Sequence, residues 1–440
     1  MRIFVHIFLV CFTIFLNFSF TYSVSNRSIL TKLMDSSLFD GVQYQKYSFG
    51  NNKTKIFANV IRVNIKKEDI GIEVLKAAKN ISSTTKINDI IRLHDSLDNK
   101  QTIAAVNGNF WRAYSNYPIG ALAVDGKLVE MNPYKEWSSI FWDTNGKPYI
   151  DNFKLSGKVY LPDNSVIFIS DINKRKDSNS IILYNSFAGI IIPPISKKDI
   201  KLVYDQLIME KAINETFEDS TEEIIDYEQL KNELLEIQRS NSLESKLKKI
   251  TLTMLNTPII NQKIRCLVTS IDTGAVKLND NQFILSLGLI FPDYNFPSIN
   301  DTISIEFKTN SQSNHLFNYA ITGTPRLVRK GKASQEARYE GSRSRRFINS
   351  KLPRTAIGYN QNKDEIIIAT IPSGSRTNRS TGASLQDLAI IMRNLGCYDA
   401  LNLDGGGSTM MVVGGLNIEN PELTDMMRKI SSVVAVRLKK

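Results

Sequence analysis

Residues 401–412 read LNLDGGGSTMMV: an apolar strand, one acid, three glycines, a serine and a second apolar run. A glycine loop leading from a strand into a helix would be a phosphate cradle, because the helix N-terminal N–H groups face the anion. No lysine follows these glycines, and the continuation STMMVVGG is β-like, with Gly414-Gly415 as its turn. The order is strand, Asp-Gly-Gly-Gly-Ser, strand, which excludes both the P-loop and the dinucleotide fingerprint. Asp-Gly alone would turn a hairpin. Three successive glycines permit positive φ and close backbone approach, so the loop is either a tight turn or a functional corner.

Immediately upstream, GASLQDLAIIMRNLG (382–396) carries a complete helix signature. Ser384 is the cap, with Asp387 at the third helical position. Leu385, Leu388, Ala389, Met392 and Leu395 form the apolar face, and Gly396 is the stop. Its exit, DALNL, is a strand that delivers Asp404. Further out, TAIGYN and EIIIATIP read as strands, and ITGTPRLVRKGK as a hairpin followed by the basic loop SRSRRFINSKLPR.

The front of the chain alternates in the same way. GVQYQKYSF, KIFANVIRVNI and IGIEVLKAA are strand-like. KINDIIRLHDSL is a short helix with Ile87, Ile90, Ile91 and Leu97 on one side and His94 at its boundary. The strand TIAAV runs into NGNFW (107–111), and GALAVDGKLVE is a hairpin turning at Asp125-Gly126. More strand candidates follow, from SSIFWD to GIIIP and from KIRCLVTSI to TISIEFKT. Between these sets, residues 201–250 lack Gly and Pro and place Tyr227, Leu230, Leu234 and Ile237 at helical spacing. The fold class is α+β: a mixed β-rich core with a few packed helices and a charged helical insertion at about 201–250. An N-terminal β-rich region (24–100) precedes the main domain (101–440).

The composition fits an ordinary globular protein: 440 residues, 42% hydrophobic and 22% charged. Residues 1–23 have one arginine, then an apolar run and small residues, the pattern of a secretory signal peptide. A retained membrane anchor is the other reading. Beyond that segment only Cys266 and Cys397 remain, which is no disulfide scaffold, and both are expected as buried thiols. The three histidines, His6, His94 and His315, stand in no ligand-like spacing, which argues against a histidine zinc site or a hydrolytic triad. The net charge of +11 fits acidic partners such as nucleic acid or wall polymers, and a biased composition accounts equally for lysines scattered among Asn and Ile; no nucleic-acid partner is expected.

Several segments in fixed order resemble the phosphodiester glycosidase family. They are AAVNGNFW, PIGALAVDGKLVE, ITGTPRLVRKGK, PRTAIGY, GASLQDLA and LNLDGGGSTMMV. That family includes an enzyme that removes N-acetylglucosamine from lysosomal-enzyme phosphodiesters, and many exported bacterial relatives. The resemblance spans roughly residues 40–440. Thr322-Gly323-Thr324-Pro325 stands where relatives often carry more glycine, and Cys397 where a small residue is common.

The resemblance implies cleavage of a sugar from a phosphodiester at the anomeric carbon. Such a reaction must bind the diester anion and stabilise an oxocarbenium-like transition state. Phosphate is a good leaving group, so the demand for a strong general acid is relaxed. Arg354 is the expected phosphate ligand, since a guanidinium offers planar paired contacts. Asp404 is the expected catalytic carboxylate, as nucleophile, base or positioner. Asn107 and Asn109, around Gly108, are expected to bind sugar hydroxyls or phosphate, with Phe110 and Trp111 as stacking faces. Gly405, Gly406 and Gly407 would offer backbone N–H groups to the anion, and Ser408, Thr322, Gly323 and Thr355 would complete the pocket. No cofactor is required, although Ca²⁺ or Mg²⁺ on Asp404 with Asn oxygens is open. The expected partner is a sugar phosphodiester or wall glycan. The rival readings are a metal-assisted phosphodiesterase cutting the P–O bond and a non-catalytic wall-glycan binding protein.

Overall fold

The computed structural model describes residues 29–50, 55–112, 115–175, 177–193, 235, 239, 241–291, 297–311, 315–372, 382–419 and 427–439. The leader segment and most of the 201–250 stretch, including Tyr227, Leu230, Leu234 and Ile237, lie outside the described residues. Residues 241–244 form a helical turn, and the strand Lys249–Met254 starts inside the span read as helical. Among the described residues, no helix is long and apolar enough to cross a membrane.

The molecule is strand-rich, with few helices. One eight-stranded sheet runs in the order Ile29–Phe39, Val42–Gly50, Lys55–Asn64, Glu365–Ile371, Arg354–Tyr359, Asp399–Asn402, Arg326–Arg329 and Lys332–Ala333. The third of these, Lys55–Asn64, hydrogen-bonds directly to Glu365–Ile371, so the N-terminal region and the C-terminal segment share one sheet. A five-stranded sheet is centred on Gln101–Asn107, between Met411–Val413 and Ser432–Leu438. The largest apolar cluster lies between these sheets and joins Ile61, Val106, Ile357, Ile368, Leu401, Leu403 and Val434. A second eight-stranded sheet, built from residues 155–309, has its own core around Phe141, Val159, Cys266 and Phe307.

Register explains where polarity enters. On one face of the first sheet, Val42, Val63, Ile366 and Tyr359 form one cross-strand rung, and Tyr44, Ile61, Ile368 and Ile357 the next. Side chains alternate faces with period two. The following rung on that face is therefore Lys46, Asn59, Thr370 and Thr355. Two mostly apolar rungs close the core, and the third opens it to polar chemistry at the strand ends.

The local signals hold up. The helix Leu385–Asn394 has the full capping box between Ser384 and Asp387, and Gly396 takes φ +101° beyond its end. Burying Leu385, Leu388, Ala389, Ile391 and Met392 fastens this helix to the outer face of the first sheet. Asp125 and Gly126 both adopt positive φ in the expected hairpin turn. The ITGTPRLVRKGK hairpin turns at Lys330-Gly331, whereas Phe317–Thr322 belongs to a different sheet. In the helix Ile87–Asp98, Ile87, Ile90 and Ile91 are buried but Leu97 is 63% exposed, because it falls at the edge of the apolar stripe in the last turn. His94 is half-buried and contacts the Lys76 carbonyl. Cys266 and Cys397 are buried free thiols in separate cores.

Candidate functional site

The site begins where three strands end. Gln101–Asn107 delivers Asn107 and Gly108, Arg354–Tyr359 starts with Arg354 and Thr355, and Asp399–Asn402 leads to Asp404. Backbone hydrogen bonds tie these ends together. Asp404 N–H donates to the Gly108 carbonyl at 3.2 Å, Leu403 N–H to Thr355 at 2.8 Å, and Gly406 N–H to Pro353 at 3.0 Å. Asn107 is the crosspiece. Its Nδ2 donates to the Asp404 carbonyl at 2.7 Å, and its Oδ1 accepts from the Thr355 hydroxyl at 2.6 Å and from Met410 N–H at 3.2 Å. These bonds commit the Asn107 amide to holding the loop. Asn109 is similarly occupied, donating to the Phe110 carbonyl and accepting from the Ser432 hydroxyl. A Cβ on Gly108 would stand 2.3 Å from Ser432 Oγ, so only glycine fits between these strands.

The loop after Asp404 is not a hairpin turn but a single 3₁₀ turn, Gly406–Ser408, followed by the strand Met411–Val413. Gly406 takes φ +60°. Asp404 Oδ1 accepts from Gly405 N–H at 2.9 Å. Burial pushes the Asp404 carboxyl up to about 6, against the pull of the Ser408 hydroxyl, Arg428 and Gly405 N–H. Ser408 is buried in the turn.

Arg428 is a site residue that the sequence reading passed over. A Cβ on Gly407 would lie 3.3 Å from Arg428 Nη1, and the guanidinium sits 5.4 Å from the Trp111 ring. The half-buried Arg428 thus stands beside the loop and acts on Asp404. In the sequence it is one basic residue among many before the last strand, and only the pairing of Ser432–Leu438 with Gln101–Asn107 brings it to Trp111. Arg354 is placed differently from what a phosphate ligand needs. Its Nε donates to the Ala383 carbonyl at 3.1 Å, and its Nη2 to Phe347 at 2.7 Å and Ser350 at 3.3 Å. It is 2% exposed, and burial lowers it to about 10. The guanidinium therefore ties down the segment around the short helix Arg345–Asn349, with its stem packed near Gly405.

Thr322 and Gly323 lie one layer behind the loop. Thr322 Oγ1 donates to the Ala121 carbonyl at 2.9 Å, and a Cβ on Gly323 would meet the Asn402 carbonyl at 2.2 Å. Behind them Glu340 is buried and accepts from Ser138, Thr324 and the Arg326 N–H. Phe110 stacks edge-on against Trp137 at 5.3 Å and Phe347 at 6.4 Å, with Tyr134 4.8 Å beyond Trp137. Trp137 is a second aromatic that the sequence reading did not select. Arg343, Arg345 and Arg346 are exposed. Among the described residues, no group of three His, Cys, Asp or Glu side chains is placed to hold a metal ion.

The class these features define is a β-rich protein whose carboxylate and glycine loop are held at converging strand ends, with a cation and aromatic rings alongside. Residues 291–437 match the model of the phosphodiester glycosidase family, a segment that contains Arg354, Asp404, the glycine loop and Arg428. The chain thus resembles phosphodiester glycosidases over its C-terminal third. No curated protein sequence matches it. A hypothetical protein from Synechocystis has the same fold at 17% identity and TM-score 0.61, aligned over 94% of this chain and 65% of its own. A Burkholderia pseudomallei protein thought to be exported aligns at 15% identity and TM-score 0.52, over 87% of this chain and 74% of its own. The auto-inhibited catalytic domain of zebrafish N-acetylglucosamine-1-phosphodiester alpha-N-acetylglucosaminidase aligns at 12% identity and TM-score 0.42, over 94% of this chain and 84% of that domain.

Proposed function

We propose that this protein is an exported hydrolase that releases a sugar from a phosphodiester by cutting the bond between the anomeric carbon and the phosphate oxygen. The observation that carries this reading is the family match falling on the segment that holds Asp404, three glycines and Arg428 together at the strand ends. In this reading Asp404, ionised above about pH 6, activates water or attacks C1 directly. Arg428 and the loop N–H groups receive the diester anion, since a guanidinium and backbone donors together suit phosphate oxygens. Arg354 and Asn107 act one step removed, as the pins that place the loop. Phe110, Trp111 and Trp137 offer apolar faces to the sugar ring.

Export is part of the proposal and rests on the leader-like pattern of residues 1–23. The test is hydrolysis of a panel of nucleotide sugars and methyl phosphodiesters of sugar 1-phosphates in ¹⁸O-water. Label in the released sugar is the expected result. Label in the phosphate product identifies P–O cleavage and overturns the glycosidase reading. Binding of wall glycan without any turnover identifies a non-catalytic protein.

A further inference from the structure

Residues 201–240 carry eleven Asp and Glu against four Lys and Arg, a net charge of −7 inside a chain whose net charge is +11. Tyr227, Leu230, Leu234 and Ile237 recur there at helical spacing, and an amphipathic helix needs a surface on which to bury such a stripe. The proposed reaction uses none of these residues.

The chain leaves and re-enters the described structure on one face of the second eight-stranded sheet. Departure follows the strand Ile191–Ile192, which pairs with Val276–Lys277. Ile192, Val276 and Leu278 pack there on Ile182, Tyr184 and Ile284. Return is at the helical turn 241–244, where Glu244 accepts from Arg175 at 2.6 Å, from Tyr184 at 2.8 Å and from Ser286. Tyr184, Ile284 and Thr251 form one cross-strand rung of this face, and Ile182, Ser286 and Lys249 form the next. Both junctions therefore sit over the same side of the sheet.

That side continues into an exposed, basic half. Thr253 pairs with Leu267; beyond it Lys263, Glu306, Lys158 and Phe168 form a rung, with Arg265, Ser304, Tyr160 and Val166 beside it. The alternate residues Val159, Ile264, Cys266, Ile303 and Ile305 fill the core on the opposite side. Phe168 is 64% and Val166 42% exposed, and Lys263, Arg265 and Lys308 are exposed as well. Four cations (Lys158, Lys263, Arg265 and Lys308) thus stand with one carboxylate, Glu306, which Tyr160 and Lys308 already meet at 2.7 and 3.4 Å. Lys158 and Lys263 rest over rings, 5.3 Å from Phe168 and 3.9 Å from Tyr160.

We propose that the acidic segment 194–240 lies back on this half of the sheet, its carboxylates against Lys158, Lys263, Arg265 and Lys308 and its apolar stripe against Val166 and Phe168. The reach suffices. Val166–Ile169 stands four strands from Lys249–Met254 in the sheet order, roughly 19 Å at about 4.8 Å per strand, and twenty helical residues extend about 30 Å. Exposed ion pairs contribute little one by one, so burial of the stripe supplies the adhesion and the charges orient it. Attachment of both ends on this face keeps the segment at a high effective concentration there, which favours it over a partner from solution. The contact does not depend on which reaction the protein performs.

Carbodiimide treatment of the full chain tests it, because this reagent joins a lysine to a carboxylate in direct contact. Peptide mapping of the monomer band should find links from Lys158, Lys263 or Lys308 to acids between Asp205 and Glu236. In parallel, a glutamate-specific protease should cut within 201–240 about tenfold faster in Lys263→Glu/Arg265→Glu than in the unaltered protein. Salt at 1 M should speed cutting of the unaltered protein by screening the charges. Both substituted side chains are exposed, and a matched thermal melt separates release of the segment from global unfolding; should the variant misfold, the link map of the unaltered protein decides alone. A monomer without such links, links found only between two copies, or equal cutting of a folded variant overturns the proposal.

Discussion

The two ends of the strand Ser432–Leu438 handle charge in opposite ways. At its far end Arg437 is fully buried, and its guanidinium meets Glu73 and Asp98 at 2.7 Å and Asp95 at 3.0 Å, while Lys100 adds a second cation to Glu73 at 2.6 Å. At the near end, Asp404 and Glu419 are pushed toward their neutral forms by burial. Lys76, paired with Ser432 in the sheet and bonded to the Ser83 carbonyl, is lowered to about 7. One end is saturated with opposite charges, and the other is left short of them. Saturated charge fixes a fold, whereas charge left short of partners is ready to bind or transfer a proton.

The sharpest way to break this comparison is to change one charge at each end. Asp404→Asn should lower sugar release by about 10²–10⁴-fold while leaving the protein folded, read as kcat/KM beside a thermal melt. Equal loss of stability would make Asp404 a structural residue. Arg437→Met should do the reverse. It leaves three carboxylates facing one another and should cost about 3–5 kcal/mol in urea unfolding, with kcat unchanged in whatever fraction stays folded.

A third prediction concerns pH. Both Asp404 and Glu419 have folded-state values raised above their ordinary ones, so the fold binds their protons more tightly than the unfolded chain does. Their contribution is fully present below about pH 4 and is lost as pH rises through about 6 for Asp404 and about 7 for Glu419. Asp404→Asn should therefore match the unaltered protein at pH 4 and exceed it at pH 8, by about 1–3 kcal/mol in denaturant midpoints taken across pH. A variant less stable at pH 8 would sink the idea that the near end is short of charge. The smallest effect belongs to the surface. Breaking the exposed Arg92–Asp89 pair by Arg92→Ala should change unfolding by about 0.5 kcal/mol or less.

Some of this was legible in the sequence. The helix after Ser384, the Asp125-Gly126 turn and the strand–loop–strand order around Asp404 are local, and local rules read them. Asn107, Thr355 and Asp404 converge as the shared family motifs imply, yet their side-chain bonds show a scaffold that no single-chain pattern displays. Arg354 has the right chemistry for phosphate, but its guanidinium is drawn off by carbonyls of residues 347, 350 and 383, a contact that only folding creates. Arg428, Trp137 and Glu419 escaped notice because nothing near them in the chain marks them out. Their meaning comes from register and from sheets meeting at their ends.

The bonds that hold the Asp404 loop have a consequence for how such a protein can change. The loop is anchored by backbone groups of Gly108, Pro353 and Asp404 and by the side chain of Asn107. The groups beside it come from other segments: the Arg428 guanidinium next to Gly407 and the Trp111 ring next to that guanidinium. The carboxyl is thus located by main-chain geometry, while its surroundings are set by side chains that do not support it. Descendants of this chain can exchange those neighbours, and with them the chemistry that faces the loop, without relocating the carboxyl.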